Sequence, residues 1–244
     1  MQDKTDCINN WLKKYPDLKV IRDIKSGKEA SLVLVVIGGV LRCLKIYNRL
    51  SMALKKGSPY LAGKHFRTKS IQKSVSQGNK FGAKLLKRLW VKREFYLLKK
   101  LHRLGALVPL VYDFDQNSII MEYLGTESIA APLIKDVVFS AESAKSAFES
   151  INKSVEIFLQ CGIVHADLSE FNIIWWHDLP YIIDFPQSVD IRTNPNYQTL
   201  LVRDVRNIVL FFSQWILING EQIIAEMLTS PSTPLLKSDD TVSL

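Results

Sequence analysis

The sequence predicts an α+β fold in two lobes, an N-terminal antiparallel sheet with one main helix followed by a reduced, mainly helical C-terminal lobe. Three observations predict it. Up to residue 124, short apolar strands alternate with turns, several of them Gly-containing. Beyond Gly125 the apolar residues recur at helical spacing. Residues 164–187, VHADLSEFNIIWWHDLPYIIDFPQ, gather polar residues around an apolar hairpin. The chain has 244 residues and 47% apolar content, enough to bury the core of one domain in two lobes.

Taken in order, residues 6–15 predict a short amphipathic helix with Ile8, Trp11 and Leu12 on one side, closed by Pro16. We read residues 1–19 as this N-terminal helix, set before the main domain. Residues 20–24 and 31–37 predict strands flanking the turn Lys25-Ser26-Gly27-Lys28-Glu29-Ala30, whose backbone N–H groups and ammonium could face phosphate. Gly38-Gly39 then turns the chain into a strand over 40–47. Lys45 lies inside that strand, where a charge needs a partner. The helix expected over 85–104 carries Glu94 within a stripe of Trp90, Val91, Leu97, Leu98 and Leu101. Either Glu94 reaches water at the edge of the stripe, or it pairs with Lys45 and answers both burial problems.

Residues 107–114 and 118–123 predict another strand pair, leading out at Gly125. The main domain is expected over 20–228, divided into lobes 20–124 and 125–228. Ser140 can cap a helix running to Cys161, with Phe148, Ile151, Val155 and Phe158 buried and Gly162 as its stop. A further helix is expected over 197–218, with Asp204 as a buried carboxylate. Residues 229–244 are rich in Ser, Thr and Pro and predict a loose tail.

The chemistry concentrates in 164–187. Asp167 and Asn172 lie five apart in the form H-x-D-L-x-x-x-N, and Asp184 ends the second strand of a hairpin whose strands are 173–176 and 181–183. The four residues 177–180 are expected to turn it. The hairpin brings the loop before its first strand beside the loop after its second. Asp167, Asn172 and Asp184 thereby converge. Asn172 and Asp184 then offer hard oxygen ligands to Mg²⁺, and Asp167 can orient or deprotonate an attacking hydroxyl. Asp167 alone could cap a turn and Asp184 alone could end a strand; together, at this spacing, they point to phosphoryl transfer from a metal nucleotide.

Charge is distributed unevenly. Residues 47–93 hold thirteen Lys or Arg and no Asp or Glu, so the remainder of a chain of net charge +8 carries −5. That bias predicts docking on an RNA backbone or an acidic protein surface. No apolar run is long enough for a membrane span, and the N-terminus has no apolar signal segment. Cys7, Cys43 and Cys161 are widely spaced without metal-binding pattern. A reducing, cytoplasmic location is the expectation.

Together these residues resemble the RIO family of atypical protein kinases, over about residues 21–212. The turn Ser26-Gly27-Lys28-Glu29-Ala30 is similar to the family's S/T-G-K-E-A, and residues 165–172 to its catalytic loop, with Ser169 where ordinary kinases commonly carry a lysine. Ile183-Asp184-Phe185-Pro186-Gln187 resembles its I-D-x-x-Q metal loop. Residues 131–137 resemble its A-P-x-x-K-D-V, and Arg203-Asp204-Val205 with Ile208, Phe211 and Phe212 its final helix.

The resemblance implies a two-lobed protein-kinase-like fold and use of ATP with Mg²⁺ or Mn²⁺. It implies that Lys45 holds the α- and β-phosphates and pairs with Glu94, and that Ser26 and Lys28 cover the phosphates. The backbone of Glu122 and Leu124 would bind adenine beyond Met121, between Cys43 and Ile174. Asp167 would be the catalytic aspartate, and Asn172 and Asp184 the metal ligands. The family lacks the activation segment and peptide-docking helices of ordinary kinases. Its members are implicated in small ribosomal subunit maturation, autophosphorylate, and can act as ATPases through a phosphorylated metal-loop aspartate, here Asp184. No N-terminal winged-helix domain of the kind some members carry is seen. Three functions follow as expectations: transfer to Ser or Thr of a protein or of the chain itself, an ATPase assembly factor on a ribonucleoprotein, or a small-molecule kinase of the aminoglycoside or choline kinase type. The last is weakened by Ser26–Ala30 and Pro186-Gln187.

Overall fold

A computed structural model describes residues 2–27, 30–48 and 80–229. The expected α+β architecture is present. Strands β1 (Lys19–Ser26), β2 (Ala30–Ile37), β3 (Val40–Tyr47), β4 (Val111–Asp115) and β5 (Ser118–Glu122) form one antiparallel sheet in the order β1-β2-β3-β5-β4. Alternation of side chains along the strands divides the core. Val33, Val35, Leu44, Ile46 and Ile120 face helix α1 (Gln2–Lys14), whereas Leu34, Ile119 and Met121 belong to the main core with helix α2 (Lys80–Arg103). Both faces are covered, and Val33, Leu34 and Val35 are fully buried in succession.

The buried stripe of α1 differs from the expected one. Cys7 and Trp11, one turn apart, are buried, Ile8 is partly buried, and Leu12 is exposed. The Trp11 indole N–H donates to Ser118 Oγ at 2.8 Å, which fixes that face of the helix to β5. Helix α2 begins at Lys80 rather than at residue 85, since Lys80-Phe81-Gly82-Ala83-Lys84 holds no proline to stop it. The strand expected from residue 107 starts only at Val111. Leu107 instead serves the other lobe: its N–H donates to Ser154 Oγ, and its carbonyl accepts from Ile182.

In the second lobe, helix α3 (Ala141–Gln160) starts in a capping box between Ser140 and Ser143 and buries Phe148, Ile151, Val155 and Phe158 as expected. Strands β6 (Ile163–Val164) and β9 (Val189–Asp190) form a short pair, and β7 (Ile173–Trp176) with β8 (Leu179–Ile182) the central hairpin. Its turn is two residues, not four. His177 and Asp178 both take positive φ, 49° and 57°, the pairing that matches strand twist in the tightest hairpins. Pro180 is tolerated in β8 because its partner Trp175 sends its own N–H to Pro132.

Helix α4 (Tyr197–Phe212) ends six residues before the expected 218, where the Ser213 hydroxyl donates back to Val209 O. Trp215, Ile216 and Ile218 still pack on the core from the turns that follow. A further helix, α5 (Gly220–Thr229), was not expected. Asn219 caps it, accepting from Gln222 N, and a Cβ at Gly220 would press on Val209 at 3.0 Å. Among the described residues no helix is long and apolar enough to cross a membrane. The tail over 230–244 lies outside the described residues, as does the basic segment over 49–79.

Candidate active site between the lobes

A cleft of about 590 Å³ opens between the sheet and the central hairpin. Ile24, Leu32 and Cys43 line it from the sheet, Leu133, Ile174 and Ile183 from the second lobe, and Met121, Glu122, Tyr123 and Leu124 along the crossing strand. Lys25, Lys45, Lys87, Glu94, Asn172 and Asp184 supply charge and polarity. The cleft therefore suits a ligand with one flat apolar part and one anionic part.

The expected ion pair is present. Lys45 is buried, and its Nζ lies 2.9 Å from Glu94 Oε1 and 3.1 Å from Asp184 Oδ1. Burial alone would favour loss of the Lys45 proton, but Glu94, with Asp184, holds its pKa well above the ordinary lysine value. The same ammonium holds Asp184 below the usual carboxylate range, against its burial. Cys43, whose thiol burial pushes up to about 12, is an inert apolar wall.

The loop over 165–172 is bolted from below. Asp204 of α4 accepts from Ala166 N at 2.6 Å and Leu168 N at 3.1 Å, so its carboxylate grips the backbone on both sides of Asp167. Burial pushes Asp204 up to about 7, with the two amides and Arg203 opposing. Arg203 donates to Ala166 O, and the Asn207 amide donates to Leu168 O at 3.0 Å. Ala166 stands at φ 65° and Asp184 at φ 70°, a left-handed conformation costing a non-glycine residue about 1–2 kcal/mol. The contacts from Asp204, Arg203 and Asn207 hold the first loop in it, and Lys45 Nζ on Asp184 Oδ1 holds the second. His165 is buried, and its Nε2 faces Ile183 O at 3.0 Å. A carbonyl only accepts, so Nε2 carries the proton; burial drives the pKa down to about 4, and the ring is a neutral strut.

Around Asp167 the side chains converge as expected. The Asn172 amide donates to Asp167 O at 2.7 Å and Oδ2 at 3.3 Å, and the Gln187 amide donates to the same Oδ2 at 3.1 Å. Ile183 N donates to Asn172 O at 2.9 Å across the hairpin, bringing Asn172 beside Asp184. With its nitrogen on Asp167, Asn172 has its amide oxygen at the end suited to a cation. No group of three or more His, Cys, Asp or Glu able to hold a metal occurs among the described residues. One ionised carboxylate and one carboxamide oxygen fit Mg²⁺, which takes few protein ligands and completes its shell with phosphate and water.

Of the other expected residues, Cys43, Met121, Glu122, Leu124 and Ile174 all line the cleft. Glu122 N–H donates to Leu110 O at 2.7 Å, so that N–H is not available to a base edge. Ser26 sits opposite Ser31 at the end of β1, while its neighbours Lys25 and Gly27 line the cleft. Lys28 lies outside the described residues. Sequence reading missed Lys87, although it lies two helical turns before Glu94 and so on the same face of α2. It also missed Arg93, whose guanidinium donates to Ser188 O at 2.8 Å and ties α2 to the loop after Asp184.

A family model described as the RIO domain matches residues 40–221. The chain belongs to the RIO family. It is 28% identical over 222 residues to serine/threonine-protein kinase RIO1 of Chaetomium thermophilum, covering 85% of this chain and 42% of that one. To the probable serine/threonine-protein kinase RIO1 homolog of Encephalitozoon cuniculi it is 30% identical over 189 residues, 77% of this chain and 44% of the relative. Human serine/threonine-protein kinase RIO3 is 31% identical over 137 residues, 56% of this chain and 26% of that protein. The chain thus spans between a quarter and a half of the length of these curated relatives. The crystal structure of the Rio2 kinase from Chaetomium thermophilum as an ADP/Mg²⁺-phosphoaspartate complex superposes with a TM-score of 0.65 at 22% identity, covering 92% of this chain and 66% of that one. The RIO fold is thereby shown in the structure as well as in the sequence.

Proposed function

We propose that this RIO protein is an ATP- and Mg²⁺-dependent phosphotransferase acting on Ser or Thr of a protein partner or of itself. The observation that carries the reading is the one cleft shared by Asn172, Asp184 and the Lys45–Glu94 pair, with Asp167 hydrogen-bonded to the Asn172 amide. Adenine lies between Cys43 and Ile174, against the backbone of Glu122 and Leu124 beyond Met121. Lys45, freed in part from Asp184, holds the α- and β-phosphates, with Lys25 of the cleft lining as a second cation for them; the role of Ser26 and Lys28 as phosphate cover rests on the resemblance alone. Asn172 and Asp184 hold Mg²⁺, which when bound neutralises the phosphate oxygens. The attacking hydroxyl oxygen forms its bond to the γ-phosphorus as the bond to the ADP oxygen breaks, and Asp167 takes the hydroxyl proton.

A second reading is favoured by the charge of residues 47–93. It is an ATPase on RNA or a ribonucleoprotein, with water as acceptor and Asp184 as the transient phosphate carrier, by analogy with the phosphoaspartate in the Rio2 crystal structure. Incubation with Mg·ATP, followed by ADP release and by phosphate retained on the chain, tests both. Acid-stable phosphate supports Ser or Thr transfer; acid-labile phosphate that Asp184→Asn abolishes supports the ATPase cycle. Asp167→Asn is expected to lower transfer at least about a hundredfold while nucleotide still binds. Parental transfer by Asp167→Asn would overturn the assignment.

A further inference from the structure

The loop that follows Asp184 does more than present a metal ligand. It turns back through Ser188 N to Phe185 O at 3.0 Å, and this turn carries the Gln187 side chain to Asp167, twenty residues earlier in the chain. Gln187 Nε2 lies 3.1 Å from Asp167 Oδ2. Only the NH₂ end of an amide can face a carboxylate, so the donor and acceptor are unambiguous. Arg93 braces the far side of the same loop through Ser188 O.

We propose that Gln187 is a positioning residue for phosphoryl transfer, holding the Asp167 carboxylate in its accepting orientation by an uncharged hydrogen bond. This rests on the reading of Asp167 as the proton acceptor. An aspartate's terminal torsion is broad, so an unrestrained carboxylate samples many orientations. Two amides on Oδ2, from Asn172 at 3.3 Å and Gln187 at 3.1 Å, narrow that torsion. Where ordinary kinases commonly carry a lysine two residues after the catalytic aspartate, this chain has Ser169. A lysine there would hold the carboxylate and also weaken it as a base, since a nearby cation favours the ionised form. Gln187 supplies the hold without the charge. Because the donor comes from the metal loop, Asp167 is correctly oriented only when the loop bearing Asp184 is correctly folded.

The experiment compares Gln187→Met, which keeps length and loses the donor, with Gln187→Glu, which keeps shape and sets a second carboxylate against Asp167. ADP release from Mg·ATP is measured as kcat and KM, with urea unfolding of the nucleotide-free protein alongside. We expect kcat to fall about tenfold in Gln187→Met and further in Gln187→Glu, with KM for ATP within about twofold of the parent. The exchanged pair Asp167→Asn with Gln187→Glu restores a donor–acceptor contact. It should recover the stability lost in Gln187→Glu and none of the turnover. Parental kcat in both single variants, or an equal loss through KM, would overturn the proposal while leaving an inactive Asp167→Asn to support the site. Parental turnover in Asp167→Asn would overturn the site reading and the role of Gln187 with it.

Discussion

Replacing Lys45 by Met removes an ammonium held 2.9 Å from Glu94 and 3.1 Å from Asp184, in a site where Lys45 is 8% and Glu94 5% exposed. At an effective dielectric near 20 the Lys45–Glu94 attraction is about 6 kcal/mol before desolvation is charged against it. Desolvation of two buried ions takes back much of that, so the pair itself stabilises little. Breaking it is another matter, because Glu94 is left buried and uncompensated. Lys45→Met should therefore cost about 3–5 kcal/mol. Glu94→Gln should cost less, about 2 kcal/mol, because Asp184 still neutralises Lys45. In the double variant Met lies beside Gln and the buried Glu94 charge is gone, leaving only the more exposed Asp184 without its ammonium, so the losses should fall short of additive by about 2 kcal/mol. Urea unfolding followed by Trp fluorescence measures the cycle, and ATP affinity should fall no further in the double variant than in Lys45→Met. Losses additive to within about 0.5 kcal/mol would refute the coupling drawn from the geometry.

His165 stays neutral with a pKa near 4, against about 6.5 unfolded. Its contribution to stability is complete above pH 6.5 and lost as pH falls to 4, about 3 kcal/mol in all; His165→Gln should flatten unfolding free energy over that window. Trp11→Ala should cost about 3–5 kcal/mol, since the ring fills the layer between α1 and the sheet and its loss leaves buried Ser118 with only the weak Cys7 thiol as donor. A loss under about 1 kcal/mol would show that α1 is dispensable packing. Neutralising Lys55, Lys56, Lys64, Arg67 and Lys69 together should weaken binding to single-stranded RNA and lower its log–log salt slope by up to about 3.5, with ATP hydrolysis unchanged. An unaltered slope would assign the basic segment another role.

Burial problems made much of the site legible. A lysine inside an apolar strand and a glutamate inside an apolar stripe each needed a partner, and Lys45 and Glu94 meet. The hairpin was legible from two apolar runs and a polar turn, and it brings Asn172 beside Asp184. Contacts that depend on one backbone torsion were not. Gln187 reaches Asp167 through the left-handed turn at Asp184, which no local periodicity announces. The extent of α4 was misread because Trp215, Ile216 and Ile218 continue its apolar content while packing from turns. Asn219, the cap of α5, was visible but lay within what read as one long helix. Lys28 and most of the basic segment fall outside the described residues, so their expected roles rest on charge and resemblance.

The central claim is that Asp184 and Asn172 hold the metal of a nucleotide whose transfer Asp167 serves. Calorimetric titration of ATP with and without Mg²⁺ tests it most directly in the parent, Asp167→Asn and Asp184→Asn proteins. The parent and Asp167→Asn should bind ATP more tightly when Mg²⁺ is present, whereas Asp184→Asn should bind it with the same affinity either way. A full Mg²⁺ enhancement in Asp184→Asn would contradict the account.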